Sequence, residues 1–250
     1  MEKSVVIDFL PSSAEHYKST HAIVAVDVIR ASTTVTTALS YGRHVYPARD
    51  TDDAFVIGAK LNDPLFAGEL GGNVPYGFHL TNSPVQIAAL AEVQCGFFTQ
   101  EHRPIILVSS SGTSLMLNSK GGEAVYIGCL RNYSAVASYI AGRHQRVALL
   151  GAGTRGEFRE EDQLVCAWIA ERLVEAGYGP ENDLTTELIS RWRGANVEEI
   201  RNSRSADYLR RSGQMHDLEF VLHYIDDLNI VPALVNGKLD VVSGTVRKLS

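Results

Sequence analysis

Three carboxylates in this chain stand where a carboxylate is costly. Asp27 falls near the end of the apolar run 22–29, AIVAVDVI, with Val26, Val28 and Ile29 around it. A buried carboxylate needs a cation or several donors to offset its lost hydration. Asp162 shares the three-to-four residue spacing of Val165 or Cys166, Ile169 and Leu173, which puts it on the inward stripe of a helix. Glu160 lies off that stripe, and Glu161 borders it through Val165 and Trp168. Glu69 is flanked by glycines in GELGG (68–72), where the backbone can turn tightly and approach a ligand closely. Plainer readings exist: Asp27 accepting bonds from the start of the next helix, Glu69 as an exposed loop acid, and the acids of EFREED as favourable charge at a helix N-terminus. As a set, Asp27, Glu69 and Asp162 are hard oxygen ligands of the kind Mg²⁺ takes, with water and substrate phosphate completing the shell.

Groups suited to a phosphate accompany them. SSSGTS (109–114) follows a run of strand character and opens a helix, so the backbone N–H groups around Ser110, Gly112 and Thr113 can form an anion-binding turn. Ser32, Thr33 and Thr34 bear the same relation to the run 22–29, and Asn132 precedes the helix that begins at Tyr133. Arg30, Arg131 and Arg155 each fall just past a strand end, where a guanidinium can clamp an oxyanion. The chemistry this combination supports is hydrolysis of a phosphate monoester. Mg²⁺ would polarise a phosphoryl oxygen and activate water, and a free acid, Asp27 or Glu161, would handle the proton. Arg30 and the 110–113 amides would neutralise charge developing on the phosphoryl oxygens. A phosphoenzyme through Ser110, Thr113 or Cys129 is the alternative course.

The elements that must position these residues follow a βα rhythm up to residue 177. Short apolar runs at 4–9, 22–29, 45–48, 105–109, 124–127 and 147–150 alternate with helical patterns at 33–41, 51–61, 84–93, 113–119, 133–141 and 158–176. Several runs are apolar at consecutive positions, as strands buried on both faces of a mostly parallel sheet are. The expected fold is therefore a layered α/β domain with helices flanking the sheet, and ligands bind such sheets beyond the strand carboxyl ends. From 178 to 250 the texture is charged and helical over 185–211, then reads as a helix at 217–227 and a strand at 230–235, an elaboration of one 250-residue domain.

Composition narrows the function further. A net charge of −6 argues against general attraction to nucleic acid or an anionic membrane, so an anionic small-molecule substrate must be held by local cations. No apolar stretch is long enough to span a bilayer. Cys95, Cys129 and Cys166 are scattered without metal spacing, and MEKSVVIDFL lacks the design of a signal peptide; a cytoplasmic protein with reduced thiols is expected. A homodimer is compatible with the sequence and not required by it. The segment GAGTRGEFREED (151–162) carries the G-x-G-x-x-G spacing of a dinucleotide turn, which makes a nucleotide-binding oxidoreductase one rival reading. Four acids crowd the place where a pyrophosphate would sit, and a divalent cation suits that place better. The other rival is a non-catalytic sensor of a phosphorylated metabolite using the same loops. The arginine-rich segment ISRWRGANVEEIRNSRSADYLRR has interleaved acids and reads as a solvated helix pair, not a nucleic-acid strip.

VDVIRASTT, GELGGNVPYGFHLTNSP, SSSGT, GCLRN and GAGTRGEFREEDQLVCAWI resemble successive motifs of the 2-phosphosulfolactate phosphatase family, and SRSADYLRRSGQMHDLEFVLHYIDDLNIVP is similar to its C-terminal signature. One departure is Ser205, where the family commonly has Asn after the Ser-Arg pair. The resemblance implies a Mg²⁺-dependent phosphatase on an α/β fold, converting (R)-2-phospho-3-sulfolactate to 3-sulfolactate in coenzyme M biosynthesis. It also implies an acidic centre of Asp27, Glu69 and Asp162, with Arg30, Ser32, Gly112, Thr113 and Asn132 around the phosphate.

Overall fold

A computed structural model describes residues 2–92, 103–154 and 156–246. Arg155 and Cys95 lie outside the described residues.

The first half of the chain runs β1 (Ser4–Phe9), α1 (Ser13–Tyr17), β2 (Ala22–Val26), α2 (Ala31–Ser40), β3 (Val45–Ala48), α3 (Thr51–Gly58), β4 (Leu65–Gly68), α4 (Pro84–Glu92), β5 (Ile105–Val108) and α5 (Gly112–Asn118). The second half runs β6 (Val125–Gly128), α6 (Tyr133–Ile140), β7 (Arg146–Gly151), α7 (Glu160–Glu175), β8 (Gly179–Pro180), α8 (Asp183–Trp192), a 3₁₀ turn (Val197–Asn202), α9 (Arg204–Arg211), α10 (Met215–His223), β9 (Ile230–Val235) and β10 (Lys238–Gly244). All ten strands form one sheet in the order β4-β5-β3-β10-β9-β6-β2-β7-β1-β8. Every pairing is parallel except those of β9 and β10. The α/β class expected from the βα rhythm is the class observed.

Because successive strand residues point to opposite faces, each central strand feeds two cores. Val24 and Val26 of β2 and Val147 and Leu149 of β7 join the layer under α6, α7 and α8. Ile23, Ala25, Ala148 and Leu150 join the layer under α2 and α5. That double burial is why these strands are apolar at consecutive positions.

The C-terminal segment is more than a peripheral elaboration. The β9–β10 hairpin turns on Asn236-Gly237, both at positive φ (53° and 84°), and inserts between β3 and β6 in the middle of the sheet. Asn-Gly is the favoured pair for a two-residue hairpin turn. The ladders joining the hairpin to the parallel strands are short: Leu239 opposite Val45 on one side and Tyr126 opposite Ala233 on the other. α2 lies against that junction: it touches β3, β10, β9 and β6 and has all ten of its residues buried. ASTTVTTALS suits that position, since its side chains are small and Thr37 and Ser40 bond the helix's own carbonyls, Thr33 O at 2.7 Å and Thr37 O at 2.8 Å. The start of α5, after β5, meets Asp27 and Ala31 after β2, although the two strands are distant in the strand order.

Candidate active site

The ends of β2, β4, β5 and β7 open into one cleft of about 580 Å³, the place a parallel sheet reserves for ligands. Asp27 lies one residue past β2 on its wall. The Ala31 amide bonds its carboxylate, yet burial, with Glu69 and Glu161 nearby, pushes its pKa up to about 7. The position opposite it at the start of α5 must be glycine: a Cβ on Gly112 would lie 2.2 Å from Asp27 Oδ2 and 2.6 Å from Ala31 Cβ. This explains GT at 112–113 better than a phosphate-binding role for the glycine does.

Glu69, one residue past β4, also lines the cleft. Its Oε1 accepts from the Ser110 amide (3.0 Å) and its Oε2 from the Gly72 amide (2.7 Å), so the loop carboxylate organises both neighbouring backbones. Ser110 Oγ in turn accepts from the Gly71 amide at 3.1 Å. Gly72, at φ 90°, lies under Tyr208, whose hydroxyl donates to the Gly72 carbonyl at 3.1 Å. Through that contact α9 becomes a wall. Arg204, Ser205, Tyr208 and Leu209 all face the cleft, at the i, i+1, i+4, i+5 positions of one helix face.

Asp162 and Glu161, expected as a metal ligand and as an acid/base group, are not among the residues that line the cleft. Both are buried in the first turn of α7. Asp162 Oδ1 accepts from the Val28 amide at 2.8 Å, which makes Asp162 the clamp on the turn that carries Asp27. Burial raises its pKa well above the usual range, and the neighbouring Asp27 and Glu161 push in the same direction. Burial raises Glu161 too, against the hydroxyls of Ser205 and Ser203, and its Oε2 has no partner among the described residues.

The other expected phosphate ligands are spread between the cleft and the interior. Arg30 lines the cleft, but its Nη1 is held by Asp217 Oδ2 at 2.6 Å and by Gln214 Oε1. Asp217, fully buried on α10, takes a second bond from Ser83 Oγ at 2.5 Å. Ser110 and Ser111 are on the wall. Ser32 and Thr33 turn inward instead and donate to the Asp27 and Val28 carbonyls at 2.6 and 2.8 Å. Thr113 exchanges bonds with Ser109 at 2.9 and 3.1 Å. Arg131 departs furthest from expectation. It forks onto Asp227 at 2.9 and 2.5 Å, donates to Thr37 at 2.8 Å and lies over the rings of Phe220 and Tyr224. Asn132 closes its own turn, accepting from the Cys129 amide at 3.0 Å and donating to Ile127 and Ile230 carbonyls. A position just past a strand end thus serves packing after β6 and lines the cleft after β2, β4, β5 and β7. Cys129 is buried, which raises its thiol pKa, and it is not among the residues that line the cleft.

Sequence reasoning missed Asn82, Arg159 and the α9 face. Asn82 is 3% exposed, and its Oδ1 has no partner among the described residues. In GAGTRG, Gly151 ends β7, Thr154 and Glu157 bond each other's backbone at 3.0 and 3.1 Å, and α7 begins only at Glu160. A dinucleotide turn needs its helix to begin at the glycines, with a bare N-terminus facing the pyrophosphate. This one has a tight turn in between and acids on the first helical residues.

As donors for a metal, Asp27 and Glu69 fit a Mg²⁺ that takes one or two carboxylates and completes its shell with water and substrate. Among the described residues no three His, Cys, Asp or Glu side chains come together as a metal cluster; Asp162 accepts the Val28 amide on Oδ1 alone, while both oxygens of Glu69 accept amides.

Fold and site define a layered α/β protein whose cleft, lined by acids and arginines, suits a small anionic ligand. The profile of 2-phosphosulpholactate phosphatase matches residues 8–237, and the chain belongs to that family. Similar proteins include a probable 2-phosphosulfolactate phosphatase of Carboxydothermus hydrogenoformans, 33% identical over 87% of both chains. Another, from Caldanaerobacter subterraneus, is 30% identical over 86% of this chain and 88% of its own. The 2-phosphosulfolactate phosphatase of Methanothermobacter thermautotrophicus is 30% identical over 95% of this chain and 96% of its own. No helix among the described residues is long and apolar enough to cross a membrane.

Proposed function

We propose that this chain hydrolyses 2-phosphosulfolactate to sulfolactate and phosphate, in the cytoplasm and as a step toward coenzyme M, with Mg²⁺ as cofactor. The observation that carries the reading is one cleft in which two carboxylates, Asp27 and Glu69, meet Arg30 and the Ser110–Ser111 turn, in a chain of this family. Asp27 and Glu69 would hold Mg²⁺, which when bound supplies Lewis-acid polarisation of a phosphoryl oxygen. The guanidinium of Arg30, fixed by Asp217, presents positive charge to the phosphate. Asp162 holds the Val28 amide and thereby keeps Asp27 in register with Gly112. Glu161, whose pKa burial raises, would return a proton to the leaving alkoxide by way of the Ser205 hydroxyl.

The test is phosphate release from 2-phosphosulfolactate and from p-nitrophenyl phosphate, with Mg²⁺ or with EDTA, in the native chain and in Asp27→Asn. Release that needs Mg²⁺ and falls at least ~100-fold in the variant is expected. Release indifferent to both EDTA and the substitution would refute the cation-holding role, and tight binding without turnover would leave a sensor.

A further inference from the structure

A single glutamate spans two arginines inside this cleft. Glu157 Oε2 accepts from Arg159 Nη1 at 2.8 Å, and its Oε1 accepts from Arg204 Nη1. The two arginines come from different elements, the residue before α7 and the first residue of α9, and all three side chains line the cavity that holds Asp27 and Glu69. We propose that Arg159 and Arg204 form the subsite for a second anionic group of the substrate, a carboxylate or sulfonate that is not transferred, and that Glu157 fills this subsite in the ligand-free protein as an internal stand-in. The inference rests on the phosphatase reading in that it needs a substrate with more than one anion.

Three features separate this cluster from an ordinary surface ion pair. Glu157 has its backbone pinned by the reciprocal bonds with Thr154, while its side chain is 46% exposed and free to swing off the arginines without unfolding the turn. Arg159 is only 13% exposed, and its buried Nε finds no partner among the described residues, so Glu157 leaves a guanidinium donor unused. Two arginines converge on Glu157 here, with Glu160 near Arg204 and Asp162 near Arg159, whereas Arg30 is matched to Asp217 in the interior. A carboxylate brings two oxygens to such a guanidinium fork and a sulfonate three, a geometry a lysine could not match. The Arg204 guanidinium, and after it Arg159, hold the Glu157 carboxyl below its ordinary range.

The consequence is a pair of substitutions with opposite signs. Calorimetric titration with 3-sulfolactate, which carries carboxylate and sulfonate but no phosphate, is the measurement, on the native chain, Glu157→Gln and Arg204→Gln, with thermal melts to confirm folding. Arg204→Gln is expected to weaken binding by about tenfold or more, the value of a charged hydrogen bond. Glu157→Gln, which removes the competitor, is expected to tighten binding. A purely structural role for the ion pairs predicts weakening in both, and that result overturns the proposal, as does equal affinity in all three proteins or no binding to either the native chain or Glu157→Gln. With turnover, Arg204→Gln should also lower the ratio of kcat/KM for 2-phosphosulfolactate over p-nitrophenyl phosphate about tenfold. Absence of turnover on both esters, with the opposite-sign binding pattern intact, would refute the phosphatase reading and leave the subsite standing.

Discussion

Asp27→Asn should make the metal-free protein more stable at neutral pH while removing its activity. Burial lifts the Asp27 pKa from the ordinary 3.8 of an aspartate to about 7. When the folded-state value lies above the unfolded one, the unfolded chain gives up its proton first, so stability is whole below the unfolded pKa and drains away as pH rises toward the folded pKa. With those two values and about 1.36 kcal/mol per pH unit, the drain is under ~1 kcal/mol near pH 4, about 2 near pH 5.5 and about 4 at pH 8. The cleft side of Asp27 admits solvent, so these are upper values. Asparagine keeps an oxygen for the Ala31 amide and has no charge to desolvate. Its melting temperature in EDTA should exceed the native one by roughly 8 °C at pH 8, for a chain of this length, and the gap should close toward pH 4. Asp162 and Glu161 titrate with Asp27 as a group, which broadens the transition without changing its sign. A variant that melts no higher than the native chain at pH 8, or one whose gain is the same at both pH values, would show that Asp27 is not held as a strained carboxylate.

Gly112→Ala would place a methyl 2.2 Å from Asp27 Oδ2 and 2.6 Å from Ala31 Cβ; a stability loss of about 1–3 kcal/mol with a fall in kcat is expected, and an unchanged kcat would mean that the position of Asp27 is not critical. Asp217→Asn leaves the Arg30 charge buried without its counterion, and urea unfolding should show a loss on the order of 3–5 kcal/mol; an unchanged midpoint would mean that the pair adds nothing. Arg131→Lys forfeits the fork onto Asp227 and the contact with Phe220 and Tyr224, so a stability loss of about 1–3 kcal/mol is expected with KM for the phosphate ester unchanged; a raised KM would return Arg131 to the site.

The parallel strands were legible because each is apolar on both faces, and β1 and β3 start and stop where the pattern does. β4 was not read as a strand, although Asn62-Asp63-Pro64 and the glycines from Gly68 bracket LFAG, and its neighbour in the sheet is β5, which comes 40 residues later in the chain. The hairpin was half legible: Ile230–Val235 reads as a strand, and VNGK carries the turn signal that predicts its partner. Its insertion between β3 and β6 depends on pairings of one residue each, which no local pattern encodes. Asp27 and Glu69 were found because a carboxylate is anomalous in an apolar run or between glycines. Asp162 stood out for the same reason, and burial alone does not tell a metal ligand from a clamp on a backbone amide such as Val28. Arg131 and Arg30 occupy equivalent places after their strands, and the difference is set by Asp227 and Asp217, nearly 100 and 187 residues away. The α9 face was hidden because an amphipathic helix with arginines on it looks the same whether its polar side meets water or a ligand.

The cleft concentrates unfavourable terms on one side. Asp27 is pushed up by burial and by Glu69 and Glu161, Asp162 by burial and by Asp27, and Glu161 has an oxygen with no partner. A sequence selected for stability alone would have replaced at least one of these acids, since Asp162 needs only an acceptor for the Val28 amide and an asparagine supplies one. Keeping three acids makes sense where positive charge arrives during function, because each kcal/mol of repulsion in the free protein is recovered as affinity for a cation. The Arg159–Glu157–Arg204 cluster is the same device with the sign reversed, except that here the protein supplies its own temporary counterion. Both halves of the cleft then favour a ligand that brings a cation to one end and an anion to the other, and a phosphate ester with a second acidic group, bound together with a divalent metal, is such a ligand.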